Sequence, residues 1–133
     1  MTDIDPDRVD FSKADGLVPA VVQHADSGVL LMVGFMNREA LDASMATRRV
    51  TFWSRSRQRL WTKGESSGHY LELVALALDC DDDAILVLAR PHGPVCHRDT
   101  ATCFDPAPQP ALAFLAELDE LVSRRERERP PGS

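Results

Sequence analysis

Asp79-Cys80-Asp81-Asp82-Asp83 places one thiol among four carboxylates, between two apolar runs. If the segment stays extended, alternation puts Asp79, Asp81 and Asp83 on one side and Cys80 on the other. Carboxylates crowded in this way repel unless they are solvated or hold a hard cation. Magnesium takes oxygen ligands of this type while keeping several waters. The competing reading is a solvated acidic turn. Two more thiols follow in Gly93-Pro94-Val95-Cys96-His97-Arg98-Asp99-Thr100-Ala101-Thr102-Cys103-Phe104, with Cys96 and Cys103 seven residues apart and Cys80 sixteen upstream of Cys96. No Cys-x-x-Cys knuckle is present, yet three thiolates are enough for a catalytic-type zinc site whose fourth position is left to water. Against this stands the reading of inert cysteines packing as small hydrophobes.

The second chemical signal is a reversal of charge. Arg48–Gly64 holds six of the fifteen basic residues and no acidic one, inside a chain of net charge −6. Ser54, Arg55, Ser56 and Arg57 lie together, and Lys63-Gly64 precede Glu65-Ser66-Ser67-Gly68-His69. Guanidinium forks, hydroxyls and glycine-exposed amides are what phosphate oxygens need. Trp53 and Trp61 are candidates to stack on a base, although strand tryptophans more often belong to a core. One basic patch on an acidic domain fits a small phosphorylated ligand better than a nucleic acid.

These groups need a scaffold. The chain has 133 residues, 44% hydrophobic and 27% charged, which is the size and composition of one folded domain. No apolar run reaches the roughly 20 residues of a membrane helix, and residues 1–11 are too acidic for a signal peptide. The expectation is a cytoplasmic protein with neither nucleic acid nor membrane as partner. Three cysteines cannot all pair within the chain, which in a reducing compartment favours metal ligands or catalytic thiols over disulfides.

Residues 1–15 carry five aspartates and read as a loosely packed lead-in. Leu17–Gln23 and Val29–Phe35 flank an Asp26-Ser27-Gly28 turn signal and read as a hairpin. Asn37 caps an expected helix over Arg38–Thr47, with Leu41 and Met45 on its inner face. Strands are expected at Val50–Ser54, Arg59–Thr62, Tyr70–Leu78 and Ala84–Ala89, the last two pairing antiparallel. A Pro-rich turn from Asp105 leads to a Leu-striped helix over Ala111–Val122, carrying Leu112, Leu115, Leu118 and Leu121. A frayed tail, Arg124–Ser133, ends the chain. The domain proper is then 16–104, between the lead-in and a C-terminal section over 105–133.

Ser54-Arg55-Ser56-Arg57, Leu60-Trp61-x-Lys63-Gly64-Glu65-x-Ser67-Gly68-His69, Asp79-Cys80-Asp81-x-Asp83 and Gly93-x-x-Cys96-His97 with Cys103-Phe104 resemble phosphoribosyl-AMP cyclohydrolases of histidine biosynthesis. Leu31-Met32-x-x-x-Met36-Asn37-x-Glu39-Ala40-Leu41 matches as well. The resemblance covers roughly Gly16–Phe104. It implies a small single α+β domain, mainly antiparallel β, forming an intertwined homodimer. The implied reaction is hydrolytic opening of the adenine ring of N1-(5-phosphoribosyl)-AMP at the N1–C6 bond. It further implies zinc on Cys80, Cys96 and Cys103, with Cys80 coming from the other subunit, and magnesium on Asp79, Asp81 and Asp83. Substrate contacts are expected from Ser54, Arg55, Ser56, Arg57, Trp61, Lys63, Glu65 and Ser67.

Three departures stand out. His24 replaces a common Asp, Arg98-Asp99-Thr100 replaces a smaller stretch, and no second pyrophosphohydrolase domain follows, so that activity is expected to be absent. An N1 substituent leaves the purine cationic and C6 electrophilic, so the demand is for hydroxide at neutral pH. Three thiolates neutralise much of a zinc ion's charge, which makes a nearby base more necessary; His97 or His69 is expected to take the proton from water. The rival from another class is a zinc-stabilised phosphate-binding module without catalysis. A zinc deaminase would show His-x-Glu and Pro-Cys-x-x-Cys, and a thiol redox protein Cys-x-x-Cys; neither signature occurs here.

Overall fold

The computed structural model describes residues 3–105 and 111–128. Along the chain the elements are β1 (Val18–His24), β2 (Leu30–Met36), α1 (Arg38–Thr47), β3 (Thr51–Ser54), β4 (Arg59–Thr62), β5 (Leu71–Leu78), β6 (Ile85–Pro91) and α2 (Ala111–Arg127). β1 and β2 form the expected hairpin, β5 and β6 pair antiparallel as expected, and β6 runs parallel to β1. The result is a four-stranded sheet of order β2-β1-β6-β5, with β3 and β4 in a separate two-stranded ribbon. With two helices on mainly antiparallel strands, the fold is α+β.

Period-two alternation decides which face of the sheet is wet. Val18, Ala20 and Val22 of β1, Ile85, Val87 and Ala89 of β6, and Leu71, Leu73 and Leu76 of β5 are buried. The ribbon and α1 cover this face. Gly34 of β2 pairs with Ala20 and leaves the space that the Phe52 ring occupies, since a Cβ there would stand 2.5 Å from the ring. The other face also carries apolar side chains. Val33, Val21 and Leu86 align across β2, β1 and β6, with Val33 49% and Leu86 36% exposed.

Asn37 caps α1 as expected, its side-chain oxygen accepting the Ala40 N–H at 2.8 Å. Asn37→Ala should lower stability by about 1 kcal/mol, read as a lower denaturation midpoint with an unchanged slope. The inner face of α1 differs from the expected Leu41/Met45 pair. Leu41 is fully buried, but Ala40 and Ser44 share the interior with it while Met45 is only partly covered. Ser44 can go inside because its hydroxyl donates to Ala40 O at 2.8 Å and accepts the Thr51 N–H at 2.8 Å. This satisfies a buried polar group and ties α1 to β3.

Three further expectations are corrected. Residues 3–15 are not loosely packed: Val9 is buried, and Ile4 and Phe11 pack on the core. Two of their aspartates reach across to other elements, Asp7 to Arg38 and Asp3 to Arg48. Residues 79–83 are a turn rather than an extended run. Asp79 accepts the Asp83 and Ala84 N–H groups on one carboxylate oxygen, and Asp82 sits at φ +59°. An aspartate that bonds its own turn backbone outcompetes extension. α2 continues to Arg127 rather than ending at Val122, and Arg124, Arg125 and Arg127 in its last turn complement the helix dipole. Pro106–Pro110, the side chains of Leu112 and Leu115, and the Pro-Pro-Gly-Ser end lie outside the described residues. No helix among the described residues is long and apolar enough to cross a membrane.

Candidate active site

The β5–β6 hairpin sends its two ends in opposite directions, and that decides which thiols can meet. Cys80 lies in the turn joining β5 to β6, whereas Cys96 and Cys103 lie in the loop after β6. A seven-residue strand separates them by about 23 Å. The second loop folds back onto β2, where the register shifts opposite Val22 and Gln23. Thr102, largely buried, donates its hydroxyl to Leu30 O at 2.6 Å, and the Cys103 N–H donates to Leu31 O at 2.8 Å. This anchoring places Cys103 beside Cys96, close enough for each thiol to influence the other's acidity.

The two thiols differ in acidity. The Arg98 backbone N–H, with smaller contributions from Thr100 and Cys103, holds the Cys96 thiol below the ordinary range. Desolvation, reinforced by neighbouring Cys96, pushes the Cys103 thiol up, partly offset by the Lys63 ammonium. Cys96 is therefore the more acidic of the two thiols, and a bound cation would favour the thiolate form of both. All three cysteines are free thiols. Among the described residues no three His, Cys, Asp or Glu side chains of one chain are grouped to hold a metal ion.

Beside the thiol pair lies a cleft of about 320 Å³, where the loop after β4 faces the loop after β6. Trp61, Lys63, Glu65, Ser67, His69, Cys96 and His97 all line it, so six of the expected substrate and catalytic residues converge on one of the expected metal ligands. Gly64, with the exposed amide the sequence offered for phosphate, lines it too, and so does Asp99, whose type alone does not announce such a role. Glu65 is committed to Arg59 at 2.8 Å, and that hydrogen bond holds its carboxyl below the usual range. Trp61 packs against Phe52 with ring centroids 5.7 Å apart, and the Lys63 ammonium stands 5.4 Å from its ring centre. Trp61 thus packs on a core ring and also borders the cleft. Ser67 accepts the His69 N–H at 3.1 Å, and Nδ1 of exposed His97 lies 3.9 Å from the Cys96 sulfur.

Ser54, Arg55, Ser56 and Arg57 do not line this cleft. They form the tip of the β3–β4 hairpin, whose base holds Thr51 opposite Thr62. A four-residue strand puts the tip about 13 Å away from that base. The tip is itself organised: Ser54 Oγ accepts the Arg57 N–H at 3.2 Å, and the Arg55 guanidinium covers the Phe35 ring at 4.1 Å. The basic segment is also less free than its composition suggests. Arg48 pairs with Asp3, Arg59 with Glu65, and Arg49 stacks on Tyr70 at 4.0 Å.

Asp79, Asp81 and Asp83 do not present one extended row. The Asp79 carboxylate turns inward on backbone N–H groups, Asp81 accepts from the Cys80 thiol at 3.4 Å, and Asp83 pairs with Lys13 at 3.1 Å. His24, the departure at the end of β1, accepts the Asp26 N–H on Nδ1 at 3.1 Å and so supports the hairpin turn.

Comparison with known proteins agrees with the cleft. The sequence profile described as phosphoribosyl-AMP cyclohydrolase matches residues 32–105. The histidine biosynthesis bifunctional protein HisIE of Xanthomonas campestris pv. campestris is 55% identical over 127 residues, covering 96% of this chain and 60% of its own length. The protein of the same description from Salmonella typhimurium is 52% identical over 126 residues, covering 95% of this chain and 62% of its own. That of Escherichia coli strain K12 is 50% identical over 126 residues, with the same shares. The chain thus spans about three fifths of the length of these relatives. The matched segment contains the thiol pair, the acidic turn and every cleft residue named above, and the chain belongs to the phosphoribosyl-AMP cyclohydrolase family.

Proposed function

We propose that this chain hydrolyses N1-(5-phosphoribosyl)-AMP at the N1–C6 bond of its adenine ring, in histidine biosynthesis. The observation that carries the reading is the cleft where Lys63, Ser67 and His69 face Cys96 and His97. A cationic purine needs little further activation as an electrophile, so the protein's task is to seat it and to take a proton from water. Trp61 offers a ring face for the base, and Lys63 and the Ser67 hydroxyl offer donors for phosphate or ribose oxygens. His69 is the better placed of the two histidines to accept the proton, because it is partly enclosed and its backbone is held by Ser67.

The thiol set fits zinc only when two copies of the chain meet. Cys96 and Cys103 are adjacent, and Cys80 at the far end of β6 is the third ligand, supplied as Cys80 of the partner subunit. Zinc supplies Lewis acidity that eases the loss of a proton from water. The row of Val33, Val21 and Leu86, with Val33 and Leu86 exposed among the described residues, gives the second copy an apolar face to bury, in keeping with a homodimer. Magnesium on Asp79, Asp81 and Asp83 would require this turn to open, since the Asp79 carboxylate is held by its own backbone N–H groups and Asp83 by Lys13. A thiol-based site also needs a reducing compartment such as the cytoplasm.

Mixing the zinc-loaded protein with phosphoribosyl-AMP tests the reading, since ring opening changes the ultraviolet spectrum of adenine. A non-catalytic phosphate-binding module would leave that spectrum flat. The hairpin tip is assigned to the more distant of the substrate's two phosphates. Arg55→Ala should therefore raise KM at least about tenfold and lower kcat by less than about threefold, the signature of lost uniform binding. A large fall in kcat at unchanged KM would remove Arg55 from that role.

A further inference from the structure

Resting on the reading of His69 as the base, we infer that Gly93 is a positioning residue for this reaction: it fixes the His69 imidazole by direct packing. The two residues belong to different loops, and the extended end of the β5–β6 ladder brings them together. The His92 N–H donates to Tyr70 O at 2.9 Å, and the His92 and Tyr70 rings stack with centroids 4.3 Å apart and planes 9° from parallel. The next residue on β6's side is Gly93 and the preceding one on β5's side is His69, so the stack sets the alignment of this pair.

At Gly93 there is no room for a side chain. A Cβ would stand 2.5 Å from Cδ2, 2.8 Å from Cγ and 3.2 Å from Cβ of His69. Normal carbon–carbon contact is about 3.5–4.0 Å, so the glycine backbone lies directly against the imidazole. Gly93 also has φ +116°, a region that L side chains rarely adopt. The other side of His69 is equally confined. Gly64, at φ +82°, lies so close that a Cβ would meet His69 O and Tyr70 N at 2.5 Å. The Gly68 N–H closes that turn on Gly64 O at 2.8 Å, and Ser67 Oγ accepts the His69 N–H. Gly64 therefore fixes the backbone of His69, and Gly93 fixes its ring. His97, exposed on the opposite loop, has no such glycine against it among the described residues.

A methyl group at position 93 must push the imidazole aside by about 1 Å to restore ordinary contact. Displacement of that size in a catalytic group costs on the order of 100-fold in rate. The test is a cycle of Gly93→Ala and His69→Ala, singly and together. Gly93→Ala should lower kcat about 100-fold with KM within about threefold of the parent. Placed in the His69→Ala chain, it should lower kcat by less than about twofold, since the ring it displaces is gone. Thermal unfolding reads the same contact without catalysis. Gly93→Ala should depress Tm by at least about 3 °C more with the imidazole present than with it absent. Folding of the double variant where Gly93→Ala alone fails to fold would support the inference equally. Equal Tm losses in both backgrounds, failure of both to fold, or equal kcat losses in both would overturn it, leaving Gly93 as a backbone-conformation residue only. A wild-type kcat for His69→Ala would remove His69 as base, while the Tm cycle would still uphold or overturn the contact.

Discussion

Cys80→Ala protein and Cys103→Ala protein, each inactive alone, should recover about a quarter of wild-type activity when co-expressed in equal amounts or refolded together. The figure follows from symmetry. Random pairing makes half of the dimers mixed, and a mixed dimer holds one intact set of thiols out of two, so about one site in four is complete. The premise is the placement of Cys80 and the Cys96/Cys103 pair at opposite ends of β6, which one chain cannot reconcile. The matched control is Cys96→Ala with Cys103→Ala. These two should not rescue each other, because both thiols of a site come from one chain and every pairing leaves each site one thiol short. Zinc bound per subunit should follow the same pattern in both mixtures. Failure of the first pair to recover activity, or recovery by the control pair, would break the arrangement across subunits.

The contrast between what the sequence made legible and what it did not is physical. The Asn37 cap and the start of α1 are local, since one side-chain amide satisfies an N–H three residues on, and so they can be read directly. The same holds for the β5–β6 hairpin, whose apolar alternation and polar turn are contiguous. The parallel pairing of β1 with β6 joins segments more than sixty residues apart, and nothing in either strand advertises the other. The acidic segment takes the competing reading, a turn, rather than the extended row. Aspartate is a turn former because its carboxylate can bond nearby backbone N–H groups, and Asp79 does so twice, a local habit that alternation of side chains does not express. The acidic first residues concealed Val9 and Phe11, two sparse apolar residues that the core nevertheless takes in. At the site itself, residue types and order led to the cleft. The closeness of Gly93 to His69 is a long-range contact that only the folded chain displays.

His69→Ala should lower kcat by about 10²–10⁴-fold, the range for removal of a general base, while KM changes by less than about threefold. The split follows from where the side chain is held. Lys63, Ser67 and Trp61 remain to bind the substrate, so ground-state affinity persists and the loss falls on the step that needs a proton acceptor. His97→Ala should do less. His97 is exposed and its Nδ1 stands 3.9 Å from the Cys96 sulfur, beyond a normal hydrogen bond between nitrogen and oxygen but suited to steadying that thiol. Its loss should therefore appear as faster zinc release to a chelator, with kcat recovering when zinc is supplied in excess. Zinc cannot restore His69→Ala in this scheme, because the missing group is the proton acceptor and not a ligand or its support. Steady-state kinetics of the two variants with and without added zinc separate the roles. Full zinc rescue of His69→Ala, together with an unrescued large kcat loss in His97→Ala, would exchange the two assignments.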